Sequence, residues 1–359
     1  MSPPSEGLSW LIRIPEVFAA RSGEILKGLD AVPLKKLGSD YHLVRLGNPE
    51  VFQTSEWAPL IGWNLPVHHA WPCLPQKMEG FVEKAAQAIF RKFGGAAPQA
   101  LLTGPLQTGA VHPYYKHLAT NLRGRTLQLF PPMPVREAEE QDPEAPTLFC
   151  LVGKEGLFCG LQSPRDANGF YPGGTKFISQ DAETTISRAG AKIAEALHYI
   201  RLHRPAPPAG SRWLELGASP GGMSSELLAR GYRVTAVDRA AMDPRLKGRE
   251  GLEVIRADVD SYRPAGSERF DALLCDMNGD ARASLRQVVR LAAHLEEGAP
   301  VVFTLKGAGA ESPEELIALR RAASAYATAS GLSPVACTHL TYNRSELTLF
   351  FERVRGDVS

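Results

Sequence analysis

From residue 186 onward the chain alternates short apolar runs with stretches of helical period. Runs of strand length, bounded by turn residues, occur at Trp213–Leu216, Tyr232–Val237, Leu252–Ile255, Phe270–Cys275, Pro300–Leu305, Ser333–His339 and Glu346–Arg353. Between them, apolar residues recur every three or four positions. Ala189, Ile193, Ala196, Leu197 and Ile200 share one face of a helix predicted from Ile186 to Leu202, with Ser187 as its cap. Further helices are predicted near 223–230, 280–296 and 313–330. Strands and helices in this alternation predict an α/β domain, Rossmann-like, with a seven-stranded, mostly parallel sheet. Only a short turn joins the last two strands, so that pair is expected to be antiparallel.

The first half patterns differently. Leu8–Ile14 reads as a strand stopped by Pro15, Glu16–Leu29 as a helix and Tyr41–Leu46 as a second strand, which predicts a small α+β module. Residues 50–75 are rich in Pro and Trp and show no period. Phe81, Ala85, Ile89 and Phe90 share a face of a helix expected over Lys77–Phe93. The acid-rich run Pro131–Pro146 reads as an exposed loop. Thr147–Val152 and Leu157–Leu161 flank Gly153-Lys-Glu-Gly156, a hairpin signal. The expected layout is a first region over 1–165 with a sub-boundary near 50, a connection at 166–180 and a second domain at 181–359.

Composition narrows the classes. With 40 basic and 39 acidic residues among 359, bulk charge says nothing about partners. Charge is local instead: Lys84, Arg91, Lys92, Lys116, Arg123, Arg125 and Arg136 fall in a segment without a single acid, interleaved with His112, Tyr114, Tyr115 and His117. Positive charge mixed with stackable rings suits a phosphate backbone, and a solvated face paired with acids from elsewhere is the alternative. Five cysteines without a C-x-x-C pair favour reduced thiols and a cytoplasmic setting over a disulfide framework or a zinc site. No apolar stretch has membrane-spanning length.

The candidate chemistry centres on Trp213-Leu-Glu-Leu-Gly-Ala-Ser-Pro-Gly-Gly-Met223, a strand, a glycine turn and the start of a helix. Such a turn lets backbone approach a ligand at a helix N-terminus. Glu215, Gly217, Ala218, Ser219, Pro220, Gly221, Gly222 and Met223 are therefore candidate cofactor contacts. Asp238 follows 21 residues after Gly217, the spacing of an acid that holds ribose hydroxyls. The turn lacks G-x-G-x-x-G, so a nucleoside without a pyrophosphate, such as S-adenosylmethionine, fits better than a dinucleotide. Asp258, after the third strand, is either an adenine contact or a solvated loop acid. Asp276, Lys306 and Glu346 sit where strands deliver their ends, and Lys192 stands at the edge of a buried helix face.

These residues resemble a known family. Ser187-Arg188-Ala-Gly-Ala-Lys192-Ile-Ala-Glu195 looks like the S-R-A-x-x-K-L-x-E entry of FtsJ-type ribose 2′-O-methyltransferases, and Leu-Gly-Ala-Ser-Pro-Gly-Gly resembles their cofactor loop. Cys-Asp276-Met, Leu-Lys306 and Arg344-Ser-Glu346 fall at the remaining catalytic positions. Within that group the chain is most similar to the RlmM family, which methylates a cytidine ribose of large-subunit (23S) ribosomal RNA. The resemblance implies Lys192, Asp276, Lys306 and Glu346 as a catalytic tetrad with Lys306 as base, S-adenosylmethionine as cofactor and no metal. It also implies a ferredoxin-like plus THUMP-like RNA-binding region over 1–165, which the basic segment, the hairpin and Phe170-Tyr-Pro-Gly-Gly fit, with Arg188 joining the RNA contacts. The chain departs from the family at Ser219, Met223 and the Gly-Ala-Gly-Ala-Glu that follows Lys306. A cap-type ribose methyltransferase and a non-catalytic RNA-binding or ribosome-assembly protein on the same fold remain alternatives.

Overall fold

The computed structural model describes residues 8–106, 112–135, 137–174, 178 and 185–354. Contacts divide the chain into two compact units, 1–176 and 177–359.

The first unit holds two four-stranded sheets. Strand β1 (Ser9–Arg13), helix α1 (Ser22–Gly28), strands β2 (Ala31–Leu37) and β3 (Tyr41–Leu46), the short helix α2 (Val51–Thr54) and strand β4 (Trp63–Pro66) form one β-α-β-β-α-β motif. Its sheet runs β2-β3-β1-β4, antiparallel throughout, which is the split ferredoxin-like order. Residues 50–75 carry no period because their elements are too short to show one. Strand β4 is four residues long and buried at every position, and β5 (His69–Trp71) has only three.

The second sheet, ordered β5-β8-β7-β6, adds β6 (Ala100–Pro105), parallel to β7 (Thr147–Gly153), and closes the expected hairpin with β8 (Gly156–Gln162). Helices α3 (Phe81–Phe93) and α4 (Pro113–Leu129) bury Ala85, Ile89, Phe93, Leu118 and Leu122 against Leu148, Cys150 and Leu157. Helix α4 has few buried apolar positions, so its sequence reads first as charge. Its one clear sign is Pro113 in the first turn, preceded by His112, whose Nδ1 accepts from Tyr114 N (3.2 Å). The Pro131–Pro146 run is mostly exposed, as expected, but Ala138 and Gln141 are buried within it. Gln141 is buried there, accepting from Thr147 Oγ1 (2.7 Å) and donating to Phe170 O (2.9 Å). Satisfying its amide internally makes that burial tolerable.

The second unit is the predicted seven-stranded sheet. Helix α5 (Ala189–Tyr199) precedes β9 (Arg212–Leu216), α6 (Gly222–Ala229), β10 (Arg233–Asp238), β11 (Leu252–Arg256) and β12 (Ala272–Cys275). Then come α7 (Ala281–Leu291), β13 (Pro300–Lys306), α8 (Pro313–Ala329), β14 (Leu332–Thr338) and β15 (Glu346–Arg353). The order is β11-β10-β9-β12-β13-β15-β14. The first five strands are parallel, and β15 lies antiparallel to both its neighbours. Strand order reverses between β9 and β12, so a crevice opens at their carboxyl ends, where open α/β sheets bind ligands.

Helix α5 starts later than its periodicity suggests, and Ser187 does not cap it. Gly190 N and Ala191 N are taken by the carbonyls of Ser187 and Arg188 (3.2 and 3.1 Å), while the Ser187 side chain packs over Gly222.

Among the described residues no helix is long and apolar enough to cross a membrane, and no group of three or more His, Cys, Asp or Glu could hold a metal ion.

Candidate active site

Four charged side chains from four elements of the second unit meet at the carboxyl edge of the sheet. Lys192 comes from α5, Asp276 follows β12, Lys306 ends β13 and Glu346 opens β15. Lys306 Nζ donates to Asp276 Oδ1 (2.6 Å) and Glu346 Oε2 (3.0 Å). Lys192 Nζ lies 3.4 Å from both Asp276 oxygens and pairs with Glu346 Oε1. The result is a closed ring of alternating sign in which every charge touches two of its opposite. Side-chain exposures of only 9–15% would be costly for lone ions, and the alternation offsets that cost.

The ring sets its own protonation. Burial disfavours the Lys306 ammonium, as its position implied, but attraction from Asp276 and Glu346 outweighs it and holds Lys306 above its ordinary value. Burial likewise opposes ionisation of Glu346, yet Lys192 and Lys306 together hold its carboxyl below the usual range. Both shifts favour the charged forms of Lys306 and Glu346.

Beside it a cleft of about 560 Å³ runs along the ends of β9, β10 and β12. It is lined by Glu215, Gly217, Ala218, Ser219, Pro220, Gly222 and Met223, and by Asp238, Asp258 and Asp276. Of the residues read from sequence as cofactor contacts, only Gly221 does not line it. Gly221 has φ 106°, which carries the chain into α6, and it lies against Met242 and Leu246 instead. Asp238 braces the turn, its two oxygens accepting from Ser219 N (2.9 Å) and Ala240 N (2.8 Å). Asp258 stands exposed at the rim, one oxygen taken by Asp260 N (3.1 Å).

Glu215 is buried and accepts from Ser224 Oγ (2.6 Å). Burial, reinforced by Asp276 and Asp238 and only partly offset by Ser224, pushes its carboxyl up to about 8. The cleft wall also includes Ser187, Ala189, Arg239, Val259, Met277 and Asn278, which were not read from sequence as cofactor contacts. Ser187 Oγ is buried without a hydrogen-bond partner and belongs to a residue on that wall. Taking Ser187 for a helix cap hid it. Among the described residues the charged lining is Asp238, Asp258 and Asp276 against Arg239, with Glu215 held protonated near neutral pH by its burial. Such a wall repels a pyrophosphate and attracts a cation.

The residues read as RNA contacts are not one field. Lys84, Arg91 and Lys92 lie on α3 and Lys116 on α4, all exposed. Arg125 is committed to Glu83 (2.5 Å), the acid just before the acid-free segment, and Arg123 Nε donates to Leu101 O (3.1 Å). For Arg125 the alternative of an acidic partner from nearby thus holds. Arg136 lies outside the described residues. Arg188, in the second unit, is exposed just before α5.

Residues 185–299 match the FtsJ-like methyltransferase family. The chain is 27% identical over 270 residues to the ribosomal RNA large subunit methyltransferase M of Halorhodospira halophila, covering 73% of this chain and 76% of that one. It is 31% identical over 171 residues to the protein of the same name from Aromatoleum aromaticum, a match covering 45% of this chain and 44% of the relative. Among solved structures, 1,6-didemethyltoxoflavin-N1-methyltransferase of Burkholderia thailandensis, with bound S-adenosylhomocysteine, is 18% identical. That match covers 47% of this chain and 78% of the other at a TM-score of 0.36, too distant to speak to function. The cleft, with Lys192 and Asp276 of the ring, thus lies in the segment similar to FtsJ-like methyltransferases, while Lys306 and Glu346 follow it; the relatives are named as large-subunit ribosomal RNA methyltransferases.

Proposed function

We propose that the chain is an S-adenosylmethionine-dependent ribose 2′-O-methyltransferase acting on a cytidine of large-subunit ribosomal RNA. The observation that carries this reading is the closed Lys192–Asp276–Lys306–Glu346 ring at the mouth of an acid-walled cleft. Asp276 belongs to both, so a donor held in the cleft and a hydroxyl held at the ring would meet across one side chain. The cleft suits the donor: it has Asp238 for ribose hydroxyls and acids where a pyrophosphate site would need cations.

S-adenosylmethionine, when bound, supplies a methyl group on a sulfonium of unit positive charge. Lys306 must lose a proton before it can take one. An ordinary lysine is neutral in roughly one molecule in a few thousand at pH 7, and the acids beside Lys306 make that fraction smaller still. With a second cation in the cleft, Asp276 is shared and Lys306 is held less firmly in its charged form. Neutral Lys306 then accepts the 2′-hydroxyl proton on Nζ. The oxygen so freed would take the methyl group that S-adenosylmethionine supplies, sulfur keeping the electron pair of the bond it loses. Lys192 and Glu346 orient the ribose, and Asp276 holds Lys306 in line.

The first unit is proposed as a ferredoxin-like plus THUMP-like RNA-binding region, supported by the exposed Arg91, Lys92 and Lys116. The test is Lys306→Met in the full chain. Transfer of labelled methyl to unmodified 23S rRNA should fall about a thousandfold or more, while calorimetry shows S-adenosylmethionine still bound. Undiminished transfer would refute Lys306 as base. Failure of the unaltered protein to bind the donor would refute the whole reading.

A further inference from the structure

One buried carboxylate of the second unit plays no part in the ring or the cleft. Glu195 lies one helical turn after Lys192 on α5 and is 5% exposed. A buried acid must be satisfied or it destabilises the fold. Its Oε1 accepts from Thr341 N (2.9 Å) and Thr341 Oγ1 (2.6 Å), and its Oε2 from Tyr342 N (3.4 Å). Thr341 and Tyr342 belong to the turn between β14 and β15, the stretch of chain that leads into Glu346. The turn is fastened further along as well. His339 Nε2 lies 2.8 Å from Arg344 O, and Gly307 N donates to Ser345 O (2.9 Å).

Helix α5 therefore meets the last strand pair at two heights. Lys192 reaches Glu346, and three residues on, along the same face, Glu195 grips the turn. Two contacts spaced along a helix fix both its sliding and its rotation, whereas the flexible Lys192 stem alone fixes neither. We infer that Glu195 is a positioning residue for the ring: by holding Thr341 and Tyr342 it sets the height and rotation of α5, and so places the Lys192 ammonium between Glu346 and Asp276. This rests on the proposed function for its consequence in catalysis, but not for its geometry.

A merely structural Glu195 would affect stability and nothing else; a positioning one changes Lys192. The test compares full-length wild type with Glu195→Ala and Glu195→Gln, and adds Thr341→Val, which removes only the Thr341 Oγ1 hydrogen bond to Glu195 and leaves the carboxylate in place should the Glu195 variants fold poorly. The first readout needs no substrate. In competitive labelling with acetic anhydride, with exposed lysines as the internal standard, Lys192 should react at least about threefold faster in Glu195→Ala and Thr341→Val once it is no longer enclosed by two carboxylates. Glu195→Gln, which keeps an acceptor for Thr341, should fall between. Unchanged Lys192 reactivity in Glu195→Ala and Thr341→Val overturns the inference whatever the activity. The second readout is transfer to 23S rRNA: kcat should fall on the order of ten- to a hundredfold at nearly constant KM for S-adenosylmethionine. Altered Lys192 reactivity in the variants, together with a wild type that transfers no methyl, would leave the positioning intact and refute the proposed reaction instead.

Discussion

Lys306 and Glu346 stand directly opposite each other in the β13–β15 ladder, and their Nζ and Oε2 atoms lie 3.0 Å apart. Backbone register, not side-chain reach, makes the pair. A slip of one residue would send Glu346 to the other face of the sheet. Glu346→Gln keeps the ladder and removes the charge. Lys306 then answers to Asp276 alone, and its titration moves down toward the ordinary lysine range. Because only the neutral amine works as a base, the rising alkaline limb of kcat against pH should shift to lower pH, while the plateau drops about ten- to a hundredfold. Donor affinity should hold, since Glu346 is not part of the cleft wall. A pH–rate profile with an unmoved limb would show that Glu346 does not tune the base.

Glu215 makes stability depend on pH with a sign opposite to that of most carboxylates. Its group titrates near 4.5 in the unfolded chain and at about 8 in the fold. Between those values the folded state keeps a proton that the unfolded state has lost, so stability falls as pH rises through that window. The slope contributed is at most about 1.4 kcal/mol per pH unit. Glu215→Gln mimics the protonated acid and still offers an oxygen to Ser224. Urea unfolding at pH 5, 6 and 7 should show the wild type losing stability relative to this variant. Parallel curves would contradict the buried neutral acid.

A cation in the cleft should reverse that protonation. Binding of S-adenosylmethionine is expected to release a proton from Glu215 and to tighten from pH 6 to 8. Calorimetry in buffers of different ionisation enthalpy counts the proton, and Glu215→Gln should abolish the count.

Gly222→Ala tests how closely the turn packs. A methyl there meets Ser187 Oγ and comes within 3.0 Å of Ser187 O, so the wall of the cleft must move. Donor affinity should weaken at least about tenfold. Gly266→Ala, which meets nothing within 4 Å, is the matched control and should bind as wild type does.

The basic helices give a salt test. Arg91, Lys92 and Lys116 are exposed, whereas Arg125 is already bonded to Glu83. The triple change to Glu should weaken RNA binding and reduce the slope of log K against log salt by about 2, at roughly 0.7 per phosphate contact on single strands. Arg125→Ala should leave that slope nearly unchanged. Equal effects from both would mean that the helices bind RNA through some other face.

Much of the second unit was legible because its strands are buried runs separated by turn residues, a pattern that needs no partner to be seen. The four ring residues were legible for a related reason. In an open sheet, a charge directly after an apolar strand can only stand at the edge, as Asp276 and Lys306 do. Ser187 was misread because Ser at a helix start is ambiguous; only the tertiary packing of its side chain against Gly222 shows that it does not cap the helix. Arg123 and Arg125 looked free because Leu101 O and Glu83 are brought to them by tertiary packing, which spacing does not encode. Strands β4, β5 and β6 went unseen because short, fully buried or irregular segments have no period to detect.

Strand β15 lies between β13 and β14, so the latest of the described strands in sequence is an inner one of the sheet. Every residue on the cleft wall lies between Ser187 and Asn278, so the donor pocket is written early in this unit. The ring closes only when the strand beginning at Glu346 has been inserted between two others. On the proposed reading, the residues that would hold the donor are synthesised before Glu346, which closes the ring.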